Sequence, residues 1–222
     1  VSGFPPEAAR RFVRAQTALV SPPLLPEIRL HLATEITPLW QATEAELAAS
    51  GLPPPYWAFA WVGGQALARH LLEHGELARG KRVLDFAAGS GVAAIAAARA
   101  GAASVAASEL DPLALAALAL NAEANGVTVE ALAVDLTAEG AAEGAWQVIL
   151  CGDICYERPM AERATAWLRR QAARGAEVLL GDPGRAYLPK QGLVELARYL
   201  VPTTRELEDR DSREVAIYRL AP

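Results

Sequence analysis

Three observations predict an α/β protein. From Lys81 onward, short apolar runs alternate with helical patterns, and such alternation builds a mostly parallel sheet with helices on both faces. A glycine turn, Gly89-Ser90-Gly91, joins the first of these runs to the first helix. The chain then closes on two extended runs around the charged turn Glu208-Asp209-Arg210-Asp211, a pattern that adds one antiparallel strand at the sheet edge.

Taken in order, residues 1–55 carry Phe4-Pro5-Pro6, Ser21-Pro22-Pro23 and Pro53-Pro54-Pro55. They are too short and too broken to bury a core alone, and read as an N-terminal extension with a helix over 6–19 and strand character over 28–32. Residues 56–222 form the main domain, opening with a helix over 64–76. Strands are expected at 82–86, 104–108, 129–134, 147–151 and 177–180, and helices at 91–100, 112–125, 160–173 and 191–200. Strands over 204–207 and 214–220 make the closing hairpin. The result is a Rossmann-like doubly wound sheet.

The formal charge is −5 and no Lys/Arg run is long enough to form a phosphate-binding stripe, which argues against nucleic acid as a partner. The longest apolar run, 91–98, stops at Arg99 and is too short to span a bilayer. No export signal is visible, and Cys151 and Cys155 lie in a spacing unlike the usual zinc patterns. They read as reduced small hydrophobes beside a site, and the protein as a cytoplasmic monomer that needs neither membrane nor metal. An Ala- and Arg-heavy composition points to a GC-rich bacterial genome. His70 and His74 stand four apart on one helix, yet no third ligand accompanies them.

The chemistry concentrates at strand ends, where open α/β sheets bind ligands. Gly89 and Gly91 let the backbone turn tightly and approach a ligand. Gly89-Ser90-Gly91-Val92-Ala93-Ala94 also fits a dinucleotide fingerprint. Asp85, four residues before Gly89, separates the readings: a carboxylate gains nothing beside pyrophosphate, but suits the amino group of S-adenosylmethionine or braces the turn. Glu109 follows the second strand and would accept from a ribose diol, with Leu110 packing on the adenine. Asp111-Pro112 starts the next helix as cap and first residue. Asp135, beside Leu136, would take the adenine's exocyclic amine. Each acid has a plainer reading as a cap or a solvated carboxylate.

Past the fourth strand stands Asp153-Ile154-Cys155-Tyr156, a D-x-x-Y arrangement. With Pro54 to Arg69 (Pro-Pro-Tyr-Trp-Ala-Phe-Ala-Trp-Val-Gly-Gly-Gln-Ala-Leu-Ala-Arg), Val83 to Gly91 and Gly181-Asp182-Pro183-Gly184-Arg185, it resembles methyltransferase family 16. Within that family it is most similar to the electron transfer flavoprotein β-subunit lysine methyltransferases. The resemblance spans roughly Pro54 to Leu220 and implies a seven-stranded class I methyltransferase sheet. It implies a protein substrate, the flavoprotein β subunit, and S-adenosylmethionine as cofactor. It also places Trp61, Gly63, Gly64 and Gln65 beside the cofactor's methionine end, with Trp57 and Trp61 as core aromatics in the plainer reading. Ala87 replaces the first glycine of the usual loop, so its backbone is expected to avoid positive φ.

By that resemblance Asp153 would accept a hydrogen bond from the acceptor amine and Tyr156 would align it. An ordinary aspartate pKa is too low for Asp153 to act as a general base. Asp182-Pro183-Gly184-Arg185 is either a tight turn alone or a turn that also shapes the acceptor site. Rival readings are a small-molecule N-methyltransferase, a methyltransferase of another protein such as a ribosomal protein, a nicotinamide dehydrogenase, and a non-catalytic nucleotide-binding module.

Overall fold

A computed structural model describes residues 5–35, 37–41, 53–139 and 145–222. Phe4 and the 42–52 stretch of the extension lie outside the described residues. The extension begins with α1 (Pro6–Gln16), which stops short of the expected residue 19 because Thr17 turns extended and 18–20 pair as a strand. That strand, β1 (Ala18–Val20), runs antiparallel to β2 (Leu30–Leu32), and a short α2 (Pro38–Gln41) follows.

The main domain comprises α3 (Val62–Glu73), β3 (Arg82–Phe86), α4 (Val92–Arg99), β4 (Ser104–Ser108), α5 (Pro112–Ala124) and β5 (Glu130–Leu132). It continues through β6 (Val148–Gly152), α6 (Arg158–Ala173), β7 (Glu177–Asp182), β8 (Leu193–Pro202), α7 (Arg205–Glu208) and β9 (Ser212–Leu220). Seven strands form one sheet in the order β5-β4-β3-β6-β7-β9-β8. The pairs along β5-β4-β3-β6-β7 are parallel, and β9 is antiparallel to both neighbours. Connections run to opposite sides from β3, which opens a crevice at the strands' carboxyl ends.

The closing segment differs from the expectation. Residues 193–202 form β8 rather than a helix, and 205–208 form the short α7 rather than a strand. The hairpin pairs β8 with β9, and β9 lies inside the edge, between β7 and β8. A register shift between Glu195 and Ala197 explains the misreading. The bulge breaks the period of two, so Val194 and Glu195 are both exposed while Leu196 and Ala197 are both half-buried, and the pattern imitates a helix.

The central strands are buried on both faces. Val83, Val148, Leu150 and Leu179 face Leu67, Leu71 and Ile95 of α3 and α4. Their neighbours Leu84, Phe86, Ile149, Cys151, Val178 and Leu180 face Trp167 and Leu168 of α6. Leu25, Ile28 and Leu30 of the extension join the first of these cores, and α1 packs through Ala9 and Val13 on Leu113, Ala117 and Leu120 of α5. The extension therefore packs onto the main domain rather than standing apart from it.

One contact is tighter than the rest. The start of α3 presses on the ends of β6 and β7, where Gly63, Gly64, Gly152 and Gly181 meet. A Cβ on Gly152 would lie 2.7 Å from the Gly64 nitrogen, and one on Gly181 would collide with the Gly63 carbonyl and stand 2.9 Å from Leu67 Cγ. Gly181→Ala should cost roughly 1–3 kcal/mol through overpacking, measured by urea unfolding. Unchanged stability would mean that the seam can open without cost.

Candidate active site

The site starts from the β3–α4 turn. Ala87 takes φ +52, contrary to the expectation from its side chain. The Ala87 and Ala88 amides reach Ser108 Oγ (3.4 Å) and Ser108 O (3.1 Å) at the end of β4, and these bonds hold the turn against roughly 1–2 kcal/mol of left-handed strain. Gly91, at φ +75, is the N-cap of α4, and a Cβ there would strike Leu118 of α5. Its task is helix packing, and it lines none of the three cavities along the crevice.

Those three cavities share residues and form one trough. The largest, about 400 Å³, includes Trp61, Ala87, Gly89, Glu109, Asp153, Tyr156 and Arg185 in its lining. A pocket of about 50 Å³ reaches behind the turn to Gly64 and Asp85. At the other end, about 310 Å³ is bounded by Glu109, Leu110, Asp135, Leu136 and Met160. Of the residues expected to border the cofactor or the acceptor, Gly63, Gln65 and Gly91 line none of these three cavities.

Glu109 bridges the two larger spaces. Its carboxylate accepts from the Gly89 amide at 3.0 Å and from the Leu110 amide at 2.7 Å. Asp111 caps α5 by accepting from the Leu113 amide at 2.8 Å, with Pro112 at the first turn. Leu110 is exposed while Leu136 is buried under the far pocket. Asp135 Oδ1 accepts from the Thr137 hydroxyl and amide at 2.6 and 2.9 Å, and the Thr137 hydroxyl bond is the main reason that its pKa falls below the ordinary range.

Asp85 and Asp153 are the two buried acids of the trough. Asp85 Oδ2 accepts from the Ala94 amide in the first turn of α4 at 2.9 Å, so it braces the turn as well as lining the small pocket. Burial pushes its pKa up to about 8 despite that bond. Asp153 sits at φ +55, a conformation that aspartate tolerates better than most residues. Its Oδ2 accepts from the Gly63 amide at the start of α3, where the helix dipole favours a negative charge. Its Oδ1 accepts from Arg185 Nη2 at 2.7 Å and Nε at 3.1 Å. Burial outweighs these partners and lifts Asp153 to about 6, well above the ordinary value expected for it.

Arg185 and Glu208 are two site residues that the sequence does not by itself identify. Asp182 Oδ1 accepts from the Gly184 and Arg185 amides at 2.7 and 2.6 Å, so the Asp-Pro-Gly-Arg stretch is both a tight turn and a mount for the guanidinium. Arg185 then bridges Asp153 to buried Glu208 on α7 and lies 6.0 Å from the Trp61 ring centre. Tyr156 and Tyr56 make an aromatic wall with centroids 5.6 Å apart. Trp57 is buried, and the Trp61 indole donates to the Tyr56 carbonyl at 2.8 Å. Glu208 had no legible signal, because its segment resembled a strand and turn. Arg185 belongs to the 181–185 stretch that carries the family resemblance.

Elsewhere, His70 Nδ1 lies 3.0 Å from the Tyr199 hydroxyl. Among the described residues no group of three or more His, Cys, Asp and Glu is placed to hold a metal ion. Cys151 and Cys155 are free thiols, both buried, and burial raises both pKa values, Cys155 to about 12. No described helix is long and apolar enough to cross a membrane.

Comparison with known proteins gives the lineage. Residues 66–157 match the family described as "Ribosomal protein L11 methyltransferase (PrmA)". The electron transfer flavoprotein beta subunit lysine methyltransferase of Xenopus laevis is 38% identical over 221 residues, covering 96% of this chain and 87% of that protein. The Danio rerio protein of the same name is 35% identical over 216 residues, covering 95% and 82%. Among solved structures, magnesium protoporphyrin IX methyltransferase from Synechocystis PCC 6803 with bound SAH superposes with a TM-score of 0.51. At 18% identity, covering 72% of this chain and 81% of that one, it speaks for the fold alone.

The raised pKa of Asp85 has a consequence for stability. Its folded value of about 8 exceeds the unfolded value near 3.8, so its contribution is complete below about pH 4 and is lost as pH rises through 8. Asp85→Asn keeps an oxygen for the Ala94 amide and cannot ionise. Urea unfolding at pH 5 and 8.5 should show a smaller loss of stability in the variant, by on the order of a few kcal/mol. Equal losses in the two proteins would contradict the assignment.

Proposed function

The chain belongs to the electron transfer flavoprotein β-subunit lysine methyltransferase family, and on that premise we propose that it methylates lysine side chains of its own organism's flavoprotein β subunit, using S-adenosylmethionine. The observation that carries the reading is the continuous trough: acids at the ends of β3, β4 and β5 on one side, Asp153 and Tyr156 on the other.

The residues present fit that cofactor. Glu109, on the border of the two larger cavities, has the acceptor oxygens that a ribose diol needs. Asp135, Leu136 and Leu110 offer an acceptor edge and apolar faces to an adenine. Asp85 is a buried carboxyl beside the small pocket, which a methionine ammonium would draw into its charged form. The Trp61 face suits a cation. When bound, the cofactor supplies an activated methyl group on a positively charged sulfur.

The chain's own work is positioning. A lysine stem would pass along the Tyr56–Tyr156 wall, and its nitrogen would reach the Asp153 end of the trough, aligned by Tyr156 and held at near-attack distance. Asp153 stabilises the positive charge that grows on the nitrogen during transfer. A pKa of about 6 still leaves it mostly ionised at neutral pH, so it serves as an electrostatic partner more than as a base. The acidic surface, −5 overall, adds weak, salt-screened steering toward a lysine-bearing protein. The same reading has the enzyme working as a cytoplasmic monomer. The net acidity and two free thiols support that setting.

Glu109→Ala should weaken cofactor affinity by about 1.5–3 kcal/mol, the range for hydrogen bonds to a charged acceptor; an unchanged affinity by calorimetry removes Glu109 from the site. The functional test incubates the enzyme and labelled cofactor with lysate from a strain lacking the gene. Label should appear on lysines of the flavoprotein β subunit, and Asp153→Ala should lose most of the transfer, at least about 100-fold, while still binding cofactor. Label only on metabolites or on unrelated proteins would overturn the substrate.

A further inference from the structure

The acceptor end of the trough already contains a cation. Arg185 is fixed at both ends: its backbone amide by Asp182, and its guanidinium by Asp153 and Glu208. Its side chain is only 18% exposed, and it lines the same cavity as Asp153, Tyr156 and Trp61. Asp153 meanwhile accepts from the Gly63 amide at Oδ2 and from Arg185 at Oδ1. A lysine ammonium entering here would have to share Asp153 with a guanidinium that is already bound to it.

Resting on the reading above, we propose that Arg185 selects the protonation state of the acceptor, so that the cavity takes a lysine side chain as the neutral amine. A like charge within about 4–6 Å disfavours the charged form of its neighbour, and the acids around this cavity are engaged elsewhere: Asp111, in the same lining, caps α5 by accepting from the Leu113 amide. Glu208 lies behind Arg185 and is shared with Arg213, whose Nε is 3.5 Å away. Asp182 turns Oδ1 onto its own loop and does not line the cavity. Glu109 faces the cavity from the far side, engaged with the Gly89 and Leu110 amides. Tyr156 brings a hydroxyl that burial makes harder to ionise. Cys155 is likewise held as the thiol, chiefly by burial.

The proton balance is simple. On entry the lysine ammonium releases its proton to solvent, which leaves a nitrogen lone pair. That pair forms the N–CH3 bond as the C–S bond breaks with its electrons going to sulfur, and the positive charge passes from the sulfonium to a methylammonium. The same guanidinium then disfavours the cationic product and helps it leave. Arg185 thus acts on both entry and exit without touching the transferred carbon.

The test is a pH profile of the single-turnover rate, at saturating cofactor and flavoprotein β subunit, between about pH 6 and 10, because the rate of the bound complex reports groups within it. Arg185→Gln should shift the acid limb upward by roughly one unit, about a tenfold loss near neutral pH that disappears at the alkaline end. Arg185→Lys keeps the charge and should keep the limb. Asp153 could move in the same direction, so a second acceptor separates the two: a β subunit bearing the less basic γ-thialysine at the methylated position. That acceptor should restore Arg185→Gln near neutral pH and shift the wild-type limb downward, which a limb belonging to Asp153 would not do. A loss of equal factor at every pH, or a limb indifferent to thialysine, overturns the proposal. If Arg185→Gln fails to fold, the wild-type thialysine comparison and Arg185→Lys decide alone. Wild-type enzyme that transfers no methyl to the flavoprotein at any pH is a different failure, that of the parent reading.

Discussion

The architecture depends on one close approach, the start of α3 against the ends of β6 and β7. Backbone meets backbone there, and glycine at positions 63, 64, 152 and 181 makes the approach sterically allowed. Because α3 comes so near, the Gly63 amide is placed to donate to Asp153. Trp61, the residue before the helix, is thereby brought into the cavity that Asp153 lines, and the turn after β7 delivers Arg185 to the same spot. A packing constraint and a chemical site are thus one feature. Loosening the seam by the volume of a methyl group would shift the helix that binds Asp153.

Charge in the trough is arranged by burial as much as by pairing. Asp135, near solvent and bonded to Thr137, is held below the ordinary carboxylate range, while buried Asp85 and Asp153 are pushed above it. Three acids of one chemical type therefore sit at different ends of the same trough with different readiness to ionise. Asp85 is poised to respond to a cation brought in from outside. Asp153 has its cation built in, and Arg185 is itself held above its ordinary pKa because Asp153 and Glu208 outweigh its burial. The Asp85 end can thus gain a charge when a cation binds, whereas the Asp153 end is already compensated.

The central strands were legible because parallel strands buried on both faces read as unbroken apolar runs, and 82–86 and 104–108 fall at the expected residues. The acids at strand ends were legible for the same reason, since their positions follow from the strands. The closing segment was not. A single bulge in β8 erased its alternation, and β8 reads as a helix without its partner β9. Ala87 departs from its side-chain preference because the Ser108 bonds, formed only in the folded sheet, override it. The Arg185–Glu208 pair was hidden by topology: its members are 23 residues apart, joined only when β8 runs out to the sheet edge and the chain returns through α7. Local pattern carries periodicity, and it does not carry which two charged loops will meet.

The claim that the glycine seam builds the acceptor end, and leaves the donor end alone, is tested most directly by the single-turnover rate of Gly63→Ala set against its affinity for S-adenosylhomocysteine. A Cβ at this position would collide with the Asp153 carboxylate and the Gly181 carbonyl, and its nearest neighbours include neither Glu109 nor Asp135. The account predicts affinity within about threefold of wild type and a methyl-transfer rate lower by roughly 100-fold, the cost of misplacing a catalytic group by about an ångström. A Gly63→Ala enzyme that transfers methyl at the wild-type rate would contradict it.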